Sequence, residues 1–242
     1  MAKSATSHGC WNKKTENMDN LYRKTILGFA KLPVGFGIFV LVPAGTLDFW
    51  QAWVYFFVFA ASTALITAYL WNKDPKLLER RINAGPGAEK EKSQKLIMFL
   101  VLLAFAGVII VPALDRRFSW SDVPPWVVIA GDVLVALGFF ITFIVLKENP
   151  FASATIEVAP GQRVISTGPY AIVRHPMYSG GLLIIFGTPL ALGSWWGLLI
   201  CVSMTPMLVW RILEEESFLS KNLSGYKAYC QTVRYRLAPF FW

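Results

Sequence analysis

Long uncharged runs, separated by short polar stretches, set the pattern of this chain. The first apolar segment covers residues 32–47 and extends back to Thr25 if Lys31 snorkels. The second, 49–72, carries no charge, and the third is 96–114. The fourth, 123–146, is interrupted only by Asp132. The last run, 176–210, is uncharged but too long for one helix. Gly193-Ser194-Trp195-Trp196-Gly197 divides it, with Pro189 just before. It reads as a hairpin of helices over 178–192 and 195–213. The first arm gives roughly 22 Å of helix against roughly 30 Å of hydrocarbon. That segment therefore begins earlier, sits in thinned bilayer, or stops short of spanning. The pattern predicts an all-α integral membrane protein, a bundle of about five to six transmembrane helices.

Composition agrees with that reading. Of 242 residues, 55% are hydrophobic and 16% charged, where a soluble domain carries about a quarter charged residues. The net charge of +8 comes from basic residues flanking apolar segments, so lipid headgroups explain it and nucleic acid is not expected. With the N-terminus in the cytoplasm, 21 of the 23 Lys and Arg fall on one side, and only Arg116 and Arg117 on the other. The asymmetry predicts cytoplasmic N- and C-termini. Three regions follow: a polar tail (1–24), four helices (25–148), and a C-terminal region (149–242). The first thirty residues have no apolar core of the signal-peptide kind.

Little points to metal or redox chemistry. Cys10, Cys201 and Cys230 form no CxxC pair, and Cys201 sits in an apolar run as a small hydrophobe. His8 lies in the polar tail, and no His/Cys cluster has zinc spacing, so no metal is expected. Between the second and third segments, Asp74-Pro75 opens a short interfacial helix, with Asp as cap and Pro in the first turn. Ala84-Gly85-Pro86-Gly87 then breaks it. Residues 149–174 form a turn-rich connection with Pro160-Gly161 and Gly168-Pro169. Asp132 is expected to hydrogen-bond a neighbouring helix, there being no second acid near it in sequence.

Two polar clusters bound the last apolar run. Arg174-His175-Pro176-Met177-Tyr178-Ser179-Gly180 opens it, and Arg211, Glu214, Glu215 and Glu216 close it. They lie one out-and-back crossing apart, so they can meet at one membrane edge. Charge at the ends of apolar helices is costly to bury and points to function. Pro176 places His175 at a helix N-terminus, where an anion is favoured. Arg211 shares a helix face with Glu214 and Glu215. The plainer reading makes Arg174 a lipid anchor and the three acids a water-facing helix end. Leu219, Leu223, Tyr226, Tyr229 and Val233 recur at helical spacing, an amphipathic cover with a break at Gly225.

These residues together resemble the isoprenylcysteine carboxyl methyltransferase family. The motifs are Gly168-Pro169-Tyr170, Arg174 through Gly180, Arg211-x-x-Glu214-Glu215, Gly225-Tyr226-x-x-Tyr229 and Arg236-Leu237-x-Pro239. They cover about the last third of the chain. Phospholipid N-methyltransferases, small-thiol methyltransferases and sterol-reductase-like membrane proteins are similar. The resemblance implies S-adenosylmethionine held at a cytoplasmic site by His175, Tyr178 and Glu215, with Gln162, Val164 and Met177 contributing backbone contacts. It implies Arg174 and Arg211 at the carboxylate of a prenylcysteine-like acceptor. The physics agrees. A carboxylate attacking a sulfonium methyl needs no general base, only alignment and exclusion of water. The alternatives are methylation of a phospholipid amine or small thiol, an NADPH-dependent sterol-type reductase, and a non-enzymatic lipid-binding protein.

Overall fold

The structure, a computed structural model, describes residues 5–82, 92–240 and 242, with side chains from Asn20 and again from Gln94 onward. No strand occurs among the described residues. Helix α1 (Ala5–Phe36) runs into a π-helical turn (Gly37–Leu41) and the short α2 (Val42–Ala44). Pro33 lies inside α1, where it lacks the N–H that would bond the carbonyl of Phe29. Then come α3 (Trp50–Lys73), α4 (Pro75–Ile82), α5 (Lys92–Phe118) and α6 (Pro125–Glu148). A long connection with one 3-10 turn (Gly168–Ala171) leads to α7 (Pro176–Ala191), α8 (Trp196–Asn222) and α9 (Tyr226–Thr232).

Among the described residues, five helices are long and apolar enough to cross a membrane: Asn20–Ala44, Trp50–Lys73, Gln94–Phe118, Pro125–Glu148 and Trp196–Asn222. α7 has 16 residues, roughly 24 Å of helix. The hairpin is therefore present, and its first arm is the short element that the length argument anticipated. α8 continues past Leu213 to Asn222, so all three acids ride on helix. Phe57 and Leu65 are 72% exposed, the expected condition of side chains that face lipid.

α6 and α7 pack backbone to backbone. A Cβ on Gly138 would come 2.5 Å from Gly180 O, and one on Gly187 would come 2.8 Å from Gly131 O. Two glycines seven residues apart on each helix thus face their counterparts in antiparallel order. Without a hydrophobic drive between helices in lipid, small residues that allow close approach supply the packing. At the hairpin turn Gly193 takes φ +71°, which glycine adopts without strain. Asp115, at the far end of α5, holds that turn. It accepts from Ser194 Oγ, from Ser121 N at 2.7 Å and from Ser121 Oγ at 2.6 Å.

α4 is capped as its sequence predicts, with Leu77 N donating to Asp74 Oδ1 at 2.9 Å. Leu77 and Leu78 are buried against Leu70, Leu146 and Ala152. The break expected at 84–87 lies outside the described residues, and so do the side chains of His8 and Cys10. Cys201 packs as a small hydrophobe, its thiol 3.2 Å from Ile185 O. Asp132 departs from expectation. It is buried, and neither carboxylate oxygen has a hydrogen-bond partner among the described residues. The nearby hydroxyls are engaged already: Tyr55 and Thr188 bond to each other at 3.3 Å, and Thr188 donates to Ile184 O at 2.7 Å.

The glycine contact makes a sharp prediction. Gly138→Ala forces its methyl into Gly180 O and Ile184, and overpacking of this kind costs about 1–3 kcal/mol. A methyl on Gly181 would meet nothing within 4 Å, so Gly181→Ala is neutral or slightly stabilising. Thermal unfolding in detergent should show a lower Tm for the first variant alone. Equal shifts would contradict the packing described.

Candidate functional site

A cavity of about 460 Å³ opens between the 149–165 loop, the start of α7 and α8. Gln162, Val164, Arg174, His175, Met177, Tyr178, Arg211 and Glu215 all line it. All eight residues singled out from the sequence are thus brought to one place. Its other wall is apolar, formed by Met98 and Val101 of α5, Ile185 of α7 and Leu208 of α8. A site that is charged at one end and apolar at the other suits an amphiphile.

The α7 N-terminus is fixed by the chain's own C-terminal stretch. Arg174 N donates to Tyr235 O and His175 N to Arg236 O, each at 2.9 Å. Ser179 Oγ donates to Leu237 O at 2.6 Å. Side chains secure the same junction through Glu216. Its Oε1 accepts from Arg174 Nε at 2.7 Å and lies 3.2 Å from His175 Nε2. Its Oε2 accepts from Arg236 Nε at 2.9 Å. Arg174 also donates through Nη1 to Val233 O at 3.2 Å. The guanidinium is buried, and such a group is tolerable only when paired and hydrogen-bonded.

A second chain of bonds crosses the cavity. Tyr178 OH donates to Glu215 Oε2 at 2.6 Å and accepts from Arg211 Nε at 3.1 Å. Arg211 donates further to Gln94 Oε1 at 2.7 Å and to Ala154 O at 3.3 Å. Gln94 in turn donates to Glu214 Oε2 at 2.7 Å. Each of the three consecutive acids thus has a different duty: Glu214 toward α5, Glu215 toward the cavity, Glu216 toward the C-terminal stretch.

The rest of the wall is loop and cover. Gln162 Oε1 accepts from Ala159 N at 2.8 Å and so closes its own turn, while Val164 packs on the Leu223, Tyr226, Tyr229 and Val233 cluster. Tyr229 OH donates to Tyr170 O at 2.7 Å, tying the cover to the loop. Burial pushes the Tyr170 hydroxyl up to about 12 and raises those of Tyr226 and Tyr229, so the tyrosines stay neutral. The Cys230 thiol is raised by burial as well, which keeps it unreactive.

Four participants have no site role in the sequence reading: Glu216, named there only with its acidic neighbours, Arg236, quoted only within a motif, and Gln94 and Arg81. Glu216 looked equivalent to its two acidic neighbours, and Gln94 is uncharged at a helix start. Arg236 and Arg81 sit among basic residues that flank membrane segments. No group of three or more potential metal ligands occurs among the described residues.

Comparison with known proteins bears on this region. Residues 126–225 match the family model described as phospholipid methyltransferase. A Delta(14)-sterol reductase of Mus musculus is 30% identical over 89 residues. That match covers 36% of this chain and spans only 21% of the length of the mouse protein. The family match takes in α6, the loop, α7 and α8, and with them both polar clusters. It is this segment, less than half of the chain, that is similar to the phospholipid methyltransferase family.

Proposed function

We propose that this protein is an S-adenosylmethionine-dependent methyltransferase that acts on an amphiphilic acceptor at the membrane, by carboxyl O-methylation of a prenylcysteine-like group. The observation that carries the reading is the junction of Glu215, Tyr178 and Arg211 in a cavity with one apolar wall. Glu215 is a carboxylate suited to the cofactor's ammonium, and His175 and Tyr178 supply a ring and a hydroxyl beside it. Gln162, Val164 and Met177 line the same volume. Bound there, S-adenosylmethionine supplies an electrophilic methyl group.

The chain's own residues align the acceptor and keep water out. Arg211, held flat by Tyr178, Gln94 and Ala154 O, presents a planar guanidinium that suits a carboxylate. Arg174 uses Nε and Nη1 on protein partners and keeps Nη2 for the acceptor. Met98, Val101, Ile185 and Leu208 receive the hydrocarbon chain. A carboxylate acceptor arrives ionised, so no residue needs to take a proton. An amine acceptor would need one removed.

Both termini are placed on the cytoplasmic side by the charge asymmetry, with the cavity at that leaflet. A cysteine at Ser224, beside α9, should react with impermeant maleimide in inverted vesicles and not in intact cells. Labelling from outside intact cells would reverse the orientation.

The match to a sterol reductase favours a second reading, NADPH-dependent reduction. Thermal shift separates the two, because a ligand raises Tm only by binding the folded state. S-adenosylhomocysteine should stabilise the wild type, and Glu215→Ala should lose the shift while staying folded. Stabilisation by NADPH alone would establish the reductase instead.

Arg211→Lys tests the acceptor role. An ammonium cannot present the fork, and loss of one charge-assisted contact costs on the order of 1.5–3 kcal/mol, or about ten- to a hundredfold in rate. Cofactor affinity should stay within a few-fold while methyl transfer falls. Parallel losses in titration calorimetry and radiolabelled transfer would move Arg211 to the cofactor.

A further inference from the structure

Arg81 is a cavity residue that the reading above leaves without a role. It stands in the last turn of α4, whose Leu77 and Leu78 are buried against the bundle. Its guanidinium reaches the cavity wall. There Nη1 donates to Ser153 O at 3.3 Å and approaches Met177 Sδ at 3.4 Å. A carbonyl and a thioether do not neutralise a cation, and no carboxylate pairs with Arg81 among the described residues. Arg174 and Arg236 differ sharply, since both are bound to Glu216. Burial works against the Arg81 charge and lowers its pKa from the usual value.

Glu215 is the complementary case. It lines the cavity and accepts a neutral hydroxyl, Tyr178 OH. No cation forms an ion pair with it among the described residues. Arg81 and Glu215 line one cavity together with Tyr170 and Tyr178. One anion and one cation, each short of an opposite charge, therefore border one volume without meeting. A purely anionic ligand would leave Glu215 uncompensated, and a purely cationic one would leave Arg81 so. A ligand with an ammonium and a carboxylate on one carbon satisfies both.

We infer that Arg81 and Glu215 form a subsite for the α-amino-acid end of a ligand, with Arg81 donating to the carboxylate and Glu215 accepting from the ammonium. The inference rests on the S-adenosylmethionine reading, whose ligand class carries such an end. It gives α4 a part in binding and separates this arginine from the acceptor-side pair.

Titration calorimetry on the detergent-solubilised full chain tests it with two probes. One is S-adenosylhomocysteine. The other is its decarboxylated analogue, which keeps the amine, the thioether and the adenosine. Wild type should prefer the carboxylate form by about ten- to a hundredfold. Arg81→Gln should bind the two probes alike, and the analogue's affinity should match that in wild type. A preference that survives the substitution overturns the inference, as does an equal loss for both probes. If Arg81→Gln does not fold, Arg81→Lys serves: it should weaken S-adenosylhomocysteine severalfold and spare the analogue, and unchanged binding of both refutes the role. Failure of wild type to bind either probe would instead remove the methyltransferase reading itself.

Discussion

The site depends on one carboxylate. Glu216 holds Arg174, His175 and Arg236 at once, and those groups come from the loop end, the start of α7 and the C-terminal stretch. Without it a buried arginine would lack its counter-charge, a condition proteins do not tolerate cheaply. The backbone pairing of 174–175 with 235–236 and the side-chain clasp reinforce each other. Together they set the register between α7 and α8, and hence the distance over which Tyr178 reaches Glu215.

The three consecutive acids show how a helix divides labour. Successive residues point about a third of a turn apart, so neighbours in sequence face different partners. Glu214 meets Gln94 and Trp210, Glu215 meets Tyr178, and Glu216 meets the clasp. Their charge is not a single acidic patch. A substitution at any one of them acts on a different contact: bundle packing, the cavity, or the closure of the site.

Much of this was legible in the sequence, for physical reasons. Membrane helices announce themselves by length without charge, so the second, third and fourth spans emerge within a few residues of their structural limits, while charged residues hide the start of the first and the end of the last. The paired clusters at Arg174 and Arg211 stood out because charge is rare beside such runs. Other features carry no such mark. Gly131 and Gly138 look like ordinary residues of a span until Gly187 and Gly180 are found opposite. Spacing cannot say which of three acids turns inward. Arg81 reads as one more basic flank, because the burial of Leu77 and Leu78 that rotates α4 is a tertiary fact. Asp132 is expected to find a partner, and neither of its oxygens has one among the described residues. The carboxylates of Asp115 and Asp132 show the contrast, one with three donors and the other with none among the described residues.

The glycine contact between α6 and α7 also has a mechanical side. Backbones that touch have no compliant layer of side chains between them, so the two helices neither slide nor part without breaking contact along their length. They behave as a fixed wall. The loop and α9, by comparison, are joined to each other and to the end of α6 by individual side-chain bonds, Tyr229 to Tyr170 O and Asn149 to Tyr170, which can be exchanged one at a time. The loop side can therefore yield while the stiffness of α6 and α7 keeps their own wall in register.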